Sequence, residues 1–150
     1  MGSPALRHRV PASGRDLRLP RVFAFNKPRK VVVSRVREGG ANTVFELLPA
    51  DYRDWVAVGR LDKDSEGLLL FCDDPRFAQR LMDPGAVAKT YIVAVEGFPR
   101  EHDLDAMRRG GLVIEGQPAF PVEVRRLGKA PRGGTRFEVV LHEGRNREIR

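Results

Sequence analysis

Apolar positions along this chain fall into short runs separated by Gly, Pro and acidic residues. Residues 22–25 (Val-Phe-Ala-Phe) read as a short strand ending at Asn26-Lys27-Pro28, and 43–48 as a short helix capped by Asn42 or Thr43. Residues 55–58 form a second strand that runs into Gly59-Arg60-Leu61-Asp62, and the unbroken apolar run 67–72 predicts a buried third. Asp73 and Asp74 then offer N-caps, with Pro75 at the first position of a helix reaching Met82.

The second half alternates more clearly. Over 89–96, Tyr91, Val93 and Val95 fall on one face and Ile92 and Ala94 on the other, and Gly97 closes the strand. Residues 101–109 suit a helix, while 112–114, 117–120, 122–127 and 135–141 read as strands between turns that hold Gly or Pro. Short strands dominate and no regular exchange of strand with long helix occurs, which predicts an α+β class with a mainly antiparallel mixed sheet and flanking helices. Residues 6–21 are Arg-rich, are punctuated by Pro11, Gly14 and Pro20, and show neither period, which predicts a basic, disordered arm over 1–20.

Composition narrows the classes. With 41% hydrophobic residues in 150, one domain with a modest core is expected. The single Cys72 excludes an internal disulfide, and His8, His102 and His142 are too scattered for a metal motif, so a reducing cytoplasm and no metal are expected. No apolar run approaches the roughly 20 residues of a membrane span. Charge is uneven: Lys and Arg outnumber acids ten to one over 1–37, are outnumbered nine to sixteen over 38–124, and lead eight to three over 125–150. Positive ends beside an acidic middle suit a polyanion partner as well as they suit an ordinary basic tail.

The segment 59–70, Gly-Arg-Leu-Asp-Lys-Asp-Ser-Glu-Gly-Leu-Leu-Leu, places a charged loop between two apolar strands. On its residues alone it is a solvated turn. Asp64 and Glu66 raise the thought of a paired-carboxylate glycosidase, but no second acidic cluster opposes them. The segment closely resembles, however, the catalytic motif G-R-L-D-x-[DT]-[ST]-x-G-L-L of pseudouridine synthases of the RsuA group. Three further segments resemble that family in order and spacing: Phe25-Asn26-Lys27-Pro28 matches its opening strand, 89–97 its K-x-Y-x-V-x-V-x-G strand, and 143–150 its E-G-R-N-R-Q-[IV]-R-R-M segment.

The resemblance implies the pseudouridine-synthase catalytic fold over 21–150 and the isomerisation of a uridine to pseudouridine in structured RNA. Residue by residue, Asp62 matches the family's catalytic aspartate, Tyr91 its active-site tyrosine, and Arg150 the basic residue that pairs with the aspartate. The chemistry suits these types. An ionised Asp62 can add at C1′ or remove a sugar proton, and the sequence leaves both open. A nearby Arg favours the carboxylate and can bond it bidentately. Tyr91 offers a ring to stack on the base and a phenol to take the C5 proton, although a free phenol with a pKa of about 10 needs help from its site. Lys27, Arg60, Lys89, Arg145, Asn146 and Arg147 are the expected RNA contacts, around a flipped uridine.

Glu148 stands where the family has Gln. Related enzymes continue past this motif, so the catalytic domain is expected to be truncated at its C-terminus and the natural protein longer. Many also carry an N-terminal S4 domain, which twenty residues cannot form; in this the arm resembles the RluE-type members that act on large-subunit ribosomal RNA. RNA is the expected partner and a monomer is expected; no cofactor is expected, since an isomerisation needs no redox partner or metal and no Gly-rich phosphate loop appears. Two other classes are weighed against it: a non-catalytic RNA-binding or ribosome-assembly protein on the same scaffold, and a DNA-binding domain, for which no helix-turn-helix or basic helix appears.

Overall fold

The computed structural model describes residues 18–110, 113–114, 116–118 and 120–142. Strands β1 (Val22–Lys27), β2 (Val56–Val58) and β3 (Gly67–Cys72) form an antiparallel sheet in the order β1-β3-β2. β1 is longer than its apolar run because its ladder with β3 continues through Asn26↔Leu68 and Lys27↔Gly67, until Pro28, with no N–H to give, ends it. Alternation on β1 turns Phe23, Phe25 and Lys27 to the more buried side and leaves Val22, Ala24 and Asn26 exposed.

A core forms where Phe71 meets Phe25 and Phe45 edge-on, at 6.2 and 5.6 Å between ring centroids. The irregular stretch after β1 lays Val31 and Val33 on the same core, and the bonds Val32 N–H to Asn42 O and Val44 N–H to Val32 O tie it to helix α1 (Val44–Leu47). Of the two cap candidates, Thr43 is the N-cap. Its hydroxyl accepts from the Glu46 N–H, while the Glu46 carboxylate accepts from the Thr43 N–H at 2.7 Å, which satisfies two donors the helix leaves orphaned.

The two aspartates after β3 divide their work. Asp74 caps α2 (Pro75–Met82) by accepting from the Arg76 and Phe77 N–H groups, whereas Asp73 accepts from both the backbone N–H and the guanidinium of Arg21. Helix α2 covers β2 and β3, burying Ala78 completely.

The second antiparallel sheet has the order β4-β8-β7, from β4 (Lys89–Val95), β7 (Glu123–Lys129) and β8 (Thr135–Leu141). Helix α3 (Glu101–Arg108) contributes Leu104 and Met107 to a core with Val124, Phe137 and Val139. The expected strands near 112–114 and 117–120 reduce to a small hairpin of β5 (Val113–Ile114) and β6 (Gln117–Pro118). Pro118 and Pro121 limit what that segment can donate to a ladder. Every strand ladder among the described residues is antiparallel, and the class is α+β, as expected. Among the described residues no helix is long and apolar enough to cross a membrane.

Candidate active site

Asp62 lies on the loop that carries the chain from β2 to β3. The loop leaves β2 at Gly59, whose φ of +84° favours a residue without a side chain, and enters β3 at Gly67, with φ +117°. Between them Leu61 packs on the first core, and the Ser65 N–H closes a turn on the Asp62 carbonyl at 3.0 Å. One side of Asp62 is thus pinned by apolar burial and the other by a turn. Arg60 and Lys63, on either side, are exposed.

The Asp62 carboxylate is partly buried, and its Oδ2 atom is buried with no hydrogen-bond partner among the described residues. A buried acceptor with nothing to accept from is costly, and such groups persist where a substrate or a further residue completes the site. Arg150, its expected partner, lies outside the described residues, as do Arg145, Asn146 and Arg147.

Lys27 is placed otherwise than expected. It has no exposed surface, and its Nζ donates to the carbonyls of Pro28 at 3.0 Å and Ser65 at 2.7 Å. It is therefore turned beneath the Asp62 loop and not toward RNA. Burial pushes its ammonium below the usual range, while the carboxylates of Asp62, Asp64 and Glu66 act in the opposite direction.

Lys89 and Tyr91 occupy the first and third positions of β4, so both side chains share the face that carries Val93 and Val95. Tyr91 packs against the second core and pairs across the ladder with Val139. The Lys89 Nζ is buried and, like Asp62 Oδ2, has no hydrogen-bond partner among the described residues. Lys89 faces Leu141, the last residue of β8, and the Gly85 N–H donates to the His142 carbonyl at 2.7 Å. β8 therefore ends beside Lys89.

Sequence reasoning passed over Arg29 and Lys30 and took Asp64 for a cap or a solvated charge. Arg29 Nε donates to the Asp64 carbonyl at 3.1 Å, Lys30 pairs with the Asp64 carboxylate, and the Lys30 N–H donates to the Lys63 carbonyl at 2.6 Å. Their charge alone was visible, and nothing in the spacing told that the exit of β1 folds over the loop before β3. Among the described residues no group of three or more His, Cys, Asp or Glu could hold a metal ion.

Residues 21–150 match the family model described as RNA pseudouridylate synthase. The chain is 36% identical over 138 residues to the ribosomal large subunit pseudouridine synthase B of Buchnera aphidicola subsp. Schizaphis graminum, covering 91% of this chain and 54% of that protein. It is 37% identical over 145 residues to the protein of the same name from Vibrio vulnificus, covering 95% and 45%. It thus spans about half the length of these relatives. A crystal structure of a pseudouridylate synthase superposes with a TM-score of 0.73 at 25% identity, covering 87% of this chain and 55% of that one. With the family model matched over residues 21–150, this chain belongs to the RNA pseudouridylate synthase family.

Proposed function

We propose that the protein isomerises a uridine to pseudouridine in large-subunit ribosomal RNA, with Asp62, Tyr91 and Arg150 as catalytic residues. The observation that supports this most is the Asp62 carboxylate, held at the end of a rigid sheet with a buried oxygen that no described residue satisfies. In the reaction the N1–C1′ bond breaks, the base turns, a C5–C1′ bond forms, and the C5 proton is lost while N1 regains one. Atoms balance without a redox partner. Asp62 assists the first step at the sugar, either by adding at C1′ or by removing a proton. Arg150 orients its carboxylate, and Tyr91 stacks on the free base and accepts the C5 proton.

Arg60, Lys89, Arg145, Asn146 and Arg147 contact the RNA on this reading, which supposes a base flipped from its helix or loop. Two relatives bear the name of large-subunit type B enzymes, and that supports the ribosomal substrate. The protein acts as a monomer in the cytoplasm and without a cofactor.

The test is a pseudouridine map of ribosomal RNA, by selective chemical adduct and primer extension, in cells lacking the gene and complemented with wild type or Asp62→Asn. One stop that vanishes with the gene and returns only with wild type is the expected result. An unchanged map, with RNA still bound by the purified protein, would point to a non-catalytic RNA-binding protein on this scaffold.

A further inference from the structure

Among the described residues Lys30 is the one non-glycine with positive φ, at +67°. A side chain bearing Cβ disfavours that conformation, and it persists where its surroundings hold it. Here the left-handed turn doubles the chain back after Pro28, and at the turn the Lys30 N–H donates to the Lys63 carbonyl at 2.6 Å. An extended residue at 30 would carry the chain after it away from the core that Val31 and Val33 join.

The rest of the turn works on the same loop. Arg29 Nε bonds the Asp64 carbonyl at 3.1 Å, Lys27 Nζ bonds the Ser65 carbonyl at 2.7 Å, and the Lys30 ammonium pairs with the Asp64 carboxylate. Three consecutive carbonyls after Asp62, those of Lys63, Asp64 and Ser65, are thus each held by a donor from residues 27–30. The loop's internal turn, Ser65 N–H to Asp62 O, adds the link back to the aspartate.

We propose that Lys30 is a positioning residue: its strained backbone and its ion pair with Asp64 latch the turn after β1 onto the Asp62 loop and so fix where the carboxylate points. The catalytic consequence rests on the function proposed above, whereas the latch itself does not. A rigid support of this kind matters because small displacements of a reacting group lose much of the gain from orientation.

The rival role for an exposed lysine here is a contact to an RNA phosphate, which is a matter of binding and salt and not of loop order. The two are separated with the full chain as wild type, Lys30→Met, Lys30→Gly and the exchanged pair Lys30→Asp with Asp64→Lys. Amide hydrogen exchange at Ser65, kcat, KM and the salt dependence of RNA affinity are read for each. In Lys30→Met, Ser65 exchange should quicken and kcat fall, both by about two- to fivefold, the scale of an exposed ion pair, with KM and salt slope unchanged. Lys30→Gly takes the same φ without strain and keeps the bond to Lys63, so it should lose less. The exchanged pair should recover most of the loss, since Asp tolerates a left-handed backbone.

Unchanged Ser65 exchange in Lys30→Met would overturn the latch, as would a raised KM and flatter salt dependence with kcat intact. If Ser65 exchange quickens but wild type converts no uridine in ribosomal RNA, the latch stands and the reading of function falls.

Discussion

Lys27 and Ser65 are joined through the floor of the candidate site: the Lys27 Nζ, with no surface exposed, donates 2.7 Å to the Ser65 carbonyl three positions beyond Asp62. A buried ammonium is expensive unless its hydrogens are used and opposite charge is near. Both conditions are met, by two carbonyls and by the carboxylates of Asp62, Asp64 and Glu66. The lysine thus links the end of β1 to the loop before β3 from below, while Arg29 and Lys30 link them from outside.

Lys27→Met fills the same space and leaves the Pro28 and Ser65 carbonyls without their donor. Stability should fall by roughly 1–3 kcal/mol, read from urea unfolding. The pH dependence has a definite sign. Because burial lowers the folded pKa below the ordinary 10.5, the unfolded chain binds more protons between the two values. This group therefore makes stability rise with pH across that alkaline window. The rise should be present in wild type and missing in Lys27→Met. Parallel curves for the two proteins would mean that Lys27 is not desolvated as the geometry implies.

Asp73 gives a dependence of the same sign at the acid end. The guanidinium and backbone N–H of Arg21, with Arg18 nearby, hold its carboxyl below the ordinary 3.8. Its contribution is complete above 3.8 and is lost as pH falls through the lower folded value. Asp73→Asn should melt closer to wild type at pH 2 than at pH 6. An equal gap at both would show that the carboxylate charge does not matter there.

Much of this was legible along the chain. The alternation at Tyr91, Val93 and Val95 gave β4 and its buried face, because a strand half-covered by a core imposes a period of two. Pro75 with Asp74 gave the start of α2. The motif loop located Asp62 at a strand junction. What stayed hidden depended on chain segments far apart in sequence. Asp73 reads as a cap as readily as Asp74 does, and only the antiparallel pairing of Val22 with Cys72 brings Arg21 to it. Lys27 reads as a cation for RNA, and only its place on the inward face of β1, level with Gly67, buries it.

Phe71 is the keystone of the first core and carries no chemistry. Its ring is fully buried between Phe25 and Phe45, so Phe71→Ala should cost roughly 3–5 kcal/mol, the usual range for an aromatic removed from a core. Because β3 follows the Asp62 loop directly, the uridine isomerisation proposed above should fail in this variant at temperatures where wild type still performs it, and should return on cooling. A loss of activity at low temperature, with the protein still folded, would instead tie Phe71 to the site itself.

Tyr91 offers the sharpest separation of packing from chemistry. Its ring packs on the second core, opposite Val139 in the ladder, so Tyr91→Phe keeps that burial and should melt within a few degrees of wild type. If the phenol takes the C5 proton, kcat on ribosomal RNA should fall by about 10²–10⁴, the range of a lost general base, while KM stays within a few-fold. Tyr91→Leu removes the stacking surface as well, so it should raise KM and lower stability in addition to kcat. A Tyr91→Phe enzyme that turns over like wild type would leave the ring as a stacking platform only, and another group would then have to accept the proton.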